Sequence, residues 1–168
     1  MDNINSSSEI IAHWYTLIEN FQTSSQQFYQ ATQIAIEKRQ MPHAKLCRFF
    51  WSEGGLLSAK REYLRVVRRD FHFDICAAPF GTGFFVSWWL TSLPPGCLVT
   101  MMEGIPVLNV IAAIFAPRFT HYKIDTALMF QSATHSAVLE VIDSITSSQG
   151  IKGLTEAERK PVMREFYR

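Results

Sequence analysis

A charge-poor block occupies the middle of this chain. About forty residues between Asp74 and Arg118 contain a single charged side chain, Glu103, whereas roughly a quarter of the residues of an ordinary soluble domain are charged. The sequence on either side of the block is mixed in charge. Such a block either forms an unusually apolar core element or contacts lipid, and the choice between the two governs the functional interpretation.

The composition excludes several classes of protein. The chain has 168 residues, which predicts one domain, or one domain with an appendage. A net charge of +1 argues against a generic nucleic-acid binder, so no direct nucleic-acid partner is expected. Cys47, Cys76 and Cys97 are widely separated and form no CxxC pair, so neither a zinc site nor a dithiol site is predicted, and no cofactor is expected. The N-terminus lacks the basic and apolar regions of a secretory signal.

Two amphipathic helices are predicted at the N-terminus. Ser6 and Glu9 have the spacing of a capping box, and the apolar residues that follow recur at helical intervals, which predicts a helix over about 8–22. These apolar residues are Ile10, Ile11, Trp14, Leu17, Ile18 and Phe21. A second, weaker helix is predicted from Phe28 to Met41, and Pro42 ends it.

Strand periodicity begins after Pro42. The segments KLCRFFW, AKREYLRVVRR, FHFDICA and FFVSWWL alternate, or are rich in aromatic and β-branched residues, and they predict an antiparallel meander of four strands. In the third segment, two sets of side chains point to opposite faces of the strand. One set is Phe71, Phe73 and Ile75, and the other is His72, Asp74 and Cys76.

A proline-rich break divides the charge-poor block. Beyond Pro94-Pro95-Gly96, residues 97–116 have the composition of an apolar helix, which at about 1.5 Å per residue spans roughly 30 Å, the thickness of a bilayer core. A long helix is predicted from Ile124 to Ile145, because an apolar stripe runs along it. Thr155 and Glu158 have capping-box spacing and predict a short basic helix at the C-terminus.

The predicted fold class is therefore α+β. It comprises two N-terminal helices, a small antiparallel β-meander, one apolar helix long enough to cross a bilayer, and a long C-terminal helix. Three regions follow: a helical hairpin plus meander over 1–93, an apolar or membrane segment over 94–117, and a C-terminal helical region over 118–168. The three regions could also pack as one compact domain.

The apolar segment has two interpretations. In the first, residues 97–116 enter a bilayer, with nearby tryptophans at the lipid–water interface. Glu103 and Asn109 are costly inside a bilayer unless they face water or a neighbouring subunit, so this interpretation predicts a homo-oligomer. The residues assigned to this membrane or pore segment are Trp88, Trp89, Glu103, Asn109 and Arg118. In the second interpretation, the segment is a buried helix in a soluble core.

Two sets of residues suggest chemistry. His72, Asp74 and Cys76 could activate a thiolate, but successive side chains on one face of a strand are about 7 Å apart, which favours a polar sheet face with a buried thiol. Arg65 and His72, in RVVRRDFH, are candidates for a ribonuclease pair in which the Arg stabilises phosphate charge and the His transfers protons. A solvated basic hairpin is the alternative. His135 lies on the apolar stripe of the long helix and is interpreted as a hydrogen-bonded core histidine.

The chain resembles a known family in its size, its apolar block 75–117 and the spacing in RVVRRDFH. This family is the small membrane-associated accessory protein encoded beside type VI-B CRISPR RNA-targeting nucleases, which is linked to a divergent HEPN motif. The resemblance implies a bacterial antiviral effector that assembles as a ring in the membrane and makes it leak when the nuclease is triggered. Pore formation, rather than RNA cleavage, is the activity that it implies.

We therefore expect an oligomeric protein of the bacterial inner membrane that acts as a pore or permeability effector and is not an enzyme. Its expected partners are lipid, further copies of itself and an RNA-targeting CRISPR nuclease system. Two alternatives stay open. The first is a cytoplasmic, soluble homo-oligomeric binding or accessory module with a very apolar core, in which the aromatic segment 80–90 receives a partner. The second is a HEPN-like ribonuclease.

Overall fold

The computed structural model describes residues 9–52, 60–93 and 120–163. Within these ranges the chain forms a six-stranded antiparallel sheet and two helices. The strands are β1 (Glu9–Glu19), β2 (Ala44–Ser52), β3 (Lys60–Arg68), β4 (Phe71–Phe80), β5 (Gly83–Ser92) and β6 (Val162–Met163), and the helices are α1 (Ser25–Glu37) and α2 (His121–Gln149). The strand order across the sheet is β2-β3-β4-β5-β1-β6.

The predicted four-stranded meander is confirmed. Strands β2 to β5 coincide with the four predicted segments, and each pairs antiparallel with the next. The alternation predicted for β4 is also present, because Phe71, Phe73 and Ile75 are buried on one face. Cys76 points to the other face but is buried as well.

The predicted first helix, over 8–22, is wrong, because residues 9–19 form β1. This strand pairs with β5 along most of its length and with β6 near its start. The buried side chains alternate along it, and include Ala12, Trp14, Thr16 and Ile18. Apolar Tyr15 and Leu17 lie on the exposed face and hide this period of two in the sequence. Ser6, of the predicted capping box, lies outside the described residues.

The second predicted helix is confirmed with earlier bounds. Helix α1 begins after Ser24, whose side chain accepts a hydrogen bond from the Gln27 N–H, while the Gln27 side chain accepts one from the Ser24 N–H. This reciprocal capping box fixes the first turn. The helix ends at Glu37, and its C-cap is Lys38, several residues before Pro42.

The long C-terminal helix is confirmed and extends beyond its predicted ends. Helix α2 begins after Thr120, whose hydroxyl accepts a hydrogen bond from the Lys123 N–H. It ends at Gly150, which has a φ of 64°. This left-handed conformation is one that glycine adopts without steric cost and that commonly ends helices.

Both helices pack on one face of the sheet and against each other. Phe73 of β4 stacks on Trp88 of β5, with ring centroids 4.5 Å apart, and contacts Phe130 of α2 edge-on. The hydroxyl of Tyr29 in α1 donates to the Glu62 carbonyl and accepts from the Ala77 N–H. The apolar core and this buried polar link therefore hold the helices to the sheet.

The predicted fold class is wrong in its balance of helix and strand. Four helices were expected, whereas the described residues contain two, and β1 and β6 extend the meander into a larger sheet. The short basic helix predicted from Thr155 and Glu158 is also wrong, since residues 156–159 form a turn and β6 follows. Pro161 lacks the N–H that a continuing helix requires.

The predicted apolar helix over 97–116 lies outside the described residues, as do Glu103, Asn109 and Arg118. In the part of the chain that the structure describes, neither helix combines the length and the apolarity needed to cross a membrane.

Candidate functional site on the open face of the sheet

The sheet face opposite the helices carries most of the predicted site residues. Strand register aligns one side chain from each strand in a row across it: Cys47, Arg65, Asp74, Trp89, His13 and Val162. Beside this row lie Phe49, Tyr63, Cys76, Ser87 and Tyr15, with His72 on the other side. We call the surface made by these residues the open face. It brings Arg65, His72, Asp74 and Cys76 onto two neighbouring strands.

Arg65 and Asp74 form a bidentate ion pair at the centre of the open face. Arg65 Nε is 2.6 Å from Asp74 Oδ1, and Arg65 Nη2 is 2.8 Å from Asp74 Oδ2. The guanidinium carbon also lies 4.2 Å from the centre of the Phe49 ring. The hydrogen bonds to Asp74 raise the pKa of Arg65 above its usual value. The guanidinium is therefore held by a carboxylate and an aromatic ring, so it is poorly placed to receive a phosphate.

His72 lies on β4, where its register partners are Val67 and Thr91. Burial lowers the pKa of this imidazole below its usual value, and the positive charge of Arg65 lowers it further. The ring is therefore neutral at neutral pH. Because the Arg65 guanidinium is held by Asp74, the pair lacks the arrangement expected for phosphate stabilisation combined with proton transfer.

Cys76 is buried on the open face, between β3 and β5. Burial is the largest influence on this thiol and raises its pKa above the usual value. A reactive cysteine needs a lowered pKa, because the thiolate is the nucleophile. The environment of Cys76 thus favours a packed, inert thiol over the nucleophile of a hydrolase.

Aromatic pairs cover much of the remaining open face. His13 stacks on Trp89 with ring centroids 4.9 Å apart, and Phe49 stacks on Tyr63 at 5.5 Å. Tyr15 lies beside Phe85 and is 66% exposed, whereas Trp89 is 40% exposed. This part of the sheet offers an exposed, partly apolar surface of the kind that marks a contact site.

Trp88 and Trp89 were both predicted to lie at a lipid–water interface. They point to opposite faces of β5, Trp88 toward the helices and Trp89 toward the open face. Trp88 is completely buried, and its indole Nε1–H donates to Nδ1 of His135 at 3.0 Å. Since Nδ1 accepts this bond, the proton of the neutral ring is assigned to Nε2, which lies 2.7 Å from the Arg159 carbonyl oxygen. His135 is therefore a hydrogen-bonded core histidine, as predicted.

The turn between β3 and β4 holds together the two parts of the chain that flank residues 94–119. The Leu93 N–H donates to the Asp70 carbonyl at 2.8 Å. The Lys123 ammonium lies 3.7 Å from the Asp70 carboxylate and 5.9 Å from the centre of the Phe71 ring. We call this group, with exposed Arg69, the Asp70 corner. Sequence reasoning missed it, because nothing in the sequence indicates that Leu93 and Lys123 meet at one turn.

Metal binding has no support in the ranges 9–52, 60–93 and 120–163, where no group of three or more His, Cys, Asp or Glu side chains could hold an ion. No family model matches the chain, and no curated protein or solved structure is significantly similar to it.

Proposed function

We propose that this chain is a non-enzymatic, membrane-associated protein that acts as a homo-oligomer and changes membrane permeability in bacterial antiviral defence. The Asp70 corner is the observation that carries this proposal. Leu93 and Lys123 lie on either side of the apolar residues 94–119 in the sequence, and both contact Asp70. In this domain, the residues before and after the apolar stretch meet at one corner. Such an arrangement suits an insert that enters a lipid bilayer.

The surroundings of the corner suit the surface of an anionic bilayer. Arg69 and His121 are exposed, and Tyr122 is 70% exposed at the start of α2. Tyrosine favours the headgroup region, and each Lys or Arg near an anionic membrane contributes about 1 kcal/mol of attraction. The bacterial inner membrane is the proposed location.

The composition of residues 97–116 supports assembly as the mode of action. Glu103 and Asn109 are polar groups within an otherwise apolar stretch, and such groups are tolerated in lipid when they face water or a neighbouring subunit. A ring of copies could therefore line a hydrated path. An RNA-targeting CRISPR nuclease system as trigger is the part of the proposal that rests on the family resemblance.

A soluble binding or accessory module is the second candidate, and the exposed aromatic side chains of the open face favour it. Tyr15 and Trp89 would contact a protein partner in the cytoplasm, and the apolar stretch would then be part of the fold. The ribonuclease alternative has less support, because the Arg65 guanidinium is already hydrogen-bonded to the Asp74 carboxylate.

Vesicle flotation tests the membrane proposal. We expect the full chain to float with vesicles that contain anionic lipid, and a variant with residues 97–116 replaced by a Gly/Ser linker to remain in the aqueous fraction. Because Leu93 and Lys123 meet at Asp70, the linker variant should keep the circular dichroism spectrum of the domain.

Glu103→Leu is the matched control for this experiment. The variant should still float with vesicles, because it removes a charge from the apolar stretch, but it should change the leakage of a trapped dye. A full chain that stays in the aqueous fraction as a monomer, with every lipid composition, would contradict the proposal and favour the soluble module.

A further inference from the structure

The outer edge of the sheet at β2 has the features of a strand-pairing site. Strand β2 has nine residues, contains no proline and pairs with β3 without a register shift. Within the described ranges, no strand lies on its other side, whereas the opposite edge is formed by β6, which has only two residues. Among the described residues, the outer edge of β2 therefore has a long row of backbone N–H and C=O groups that no strand pairs.

Two of the usual protections of an edge strand, proline and bulges, are absent from β2. Exposed edges are normally blunted by proline, bulges or outward-facing charges. Lys45 is exposed near the start of β2, and Arg48 is paired, 3.5 Å from Glu62 and 5.4 Å from the centre of the Tyr29 ring. Phe50 is 67% exposed beside it. A long, regular edge with an exposed aromatic side chain is suited to pairing even though it carries these two charges.

We propose that a second copy of this chain pairs antiparallel with β2, with Cys47 on the two-fold axis. An antiparallel edge can pair with itself through a two-fold axis perpendicular to the sheet, and the residue on that axis then faces its own copy. This interface would form the homo-oligomer of the proposed function, and the inference rests on the homo-oligomer part of that proposal. It joins two six-stranded sheets into one continuous sheet.

The side chains of β2 favour an axis at Cys47 over an axis at either of the two residues that follow it. An axis at Arg48 would place two guanidinium groups directly opposite each other, and like charges in that position are destabilising. An axis at Phe49 is unfavourable because its ring is already covered by Tyr63 at 5.5 Å and by the Arg65 guanidinium at 4.2 Å. An axis at Cys47 places a small, exposed side chain at the point of closest approach and sets Leu46 opposite the aliphatic part of Arg48 in the other copy.

Oxidative cross-linking with copper–phenanthroline and oxygen tests this register. Directly opposite residues have Cα atoms roughly 4.5–5.5 Å apart, which is within the range of a disulfide. In a Cys97→Ser background, we expect a cross-linked species of twice 19.3 kDa under non-reducing conditions. Cys47→Ser should abolish this species, and Cys76→Ser should retain it, because Cys76 is buried.

A charge substitution tests the interface without oxidation. Cys47→Asp places a carboxylate opposite Arg65 within one copy and opposite an identical carboxylate across the dimer axis. Light scattering of the full chain in mild detergent should show dimerisation roughly fivefold weaker than in the unmodified protein. Val162→Asp, on the exposed face of β6 at the other edge, is the matched control and should leave dimerisation unchanged.

Three results would overturn the β2 interface: an unmodified chain that stays monomeric, cross-linking that survives Cys47→Ser, or a dimer weakened by Val162→Asp and not by Cys47→Asp. The same variants are assayed for vesicle flotation. If the chain floats but fails these tests, only the β2 interface is rejected. If it dimerises through Cys47 but does not float, only the membrane proposal is rejected.

Discussion

At the scale of single residues, His135 joins the C-terminal part of the chain to the core. Its ring contacts Trp14 and Trp88 edge-on, and its two nitrogens bond Trp88 and the Arg159 carbonyl. Arg159 is itself held by Asp143 in a bidentate pair of 2.6 and 2.9 Å. One imidazole therefore links β5, α2 and the turn that precedes β6.

This arrangement predicts that stability falls under mildly acidic conditions. Burial lowers the pKa of His135 and outweighs the hydrogen bond to the Arg159 carbonyl, which raises it. In the unfolded chain the imidazole has a pKa of about 6.5, so below that pH the unfolded state binds a proton that the folded state resists. The free energy of unfolding should be constant above about pH 6.5 and decrease as the pH falls toward the lowered pKa of the folded state.

Urea denaturation at a series of pH values measures this effect. Since the pKa of His72 is also lowered by burial, the comparison uses His135→Gln and His72→Gln as a matched pair. Each variant should reduce the pH dependence, and His135→Gln should in addition lower the stability at neutral pH, because Trp88 loses its acceptor. An unchanged pH profile in His135→Gln would contradict the structural assignment.

At the scale of elements, caps decide where the helices begin. Ser24 and Gln27 exchange hydrogen bonds at the start of α1, with the Gln27 N–H 3.1 Å from Ser24 Oγ. Ser24→Ala should lower the free energy of unfolding by about 1 kcal/mol, because the first-turn amide loses its acceptor. Thr23→Ala is the control and should change it by less than about 0.5 kcal/mol. Equal effects in a denaturant titration would show that the capping box does not stabilise α1.

The elements differ in how far the sequence could predict them. β4 was predictable because Phe71, Phe73 and Ile75 alternate with polar residues, and α2 because a long apolar stripe ends at Gly150. β1 was not predictable, because its apolar residues fit both the helical and the strand period. Its strand character depends on pairing with β5. Propensity and pattern are local, whereas strand pairing is a tertiary interaction.

The candidate site was only partly predictable, because local patterns indicate which face a side chain lies on but not which strands pair. Alternation in β4 placed His72, Asp74 and Cys76 on one face, which the structure confirms. The bidentate pair of Arg65 and Asp74 depends on the register between β3 and β4, which no local pattern encodes. The Asp70 corner depends on contacts between distant parts of the chain, Leu93 and Lys123.

At the scale of the whole molecule, the proposed dimer and the proposed membrane contact have compatible geometry. A two-fold axis perpendicular to the sheet places the open faces of both copies on the same side. The Asp70 corners then lie at opposite ends of the joined sheet, since the two β2 strands run antiparallel. Both copies can contact one bilayer only if the sheet lies parallel to it, with the aromatic open faces toward the headgroups.

This geometry predicts that Trp89 approaches lipid. Vesicles that contain brominated lipid should quench part of the tryptophan fluorescence of the bound protein. Trp89→Phe should remove most of this quenching. Trp14 and Trp88 are buried and should contribute little. Trp88→Phe, on the helix-covered face of the same strand, is the matched control. Quenching that is unaffected by Trp89→Phe would indicate that the open face does not lie against the membrane.

The position of β1 has a consequence for how the protein is made. β1 is synthesised first, yet it lies between β5 and β6, and the core also requires Phe130, Val138 and Ile142 of α2. Residues 94–119 leave the ribosome before α2 and β6 do. During translation the domain is thus still incomplete when its apolar stretch first emerges. If that stretch is captured by lipid at once, folding finishes at the membrane surface, and targeting precedes the native state.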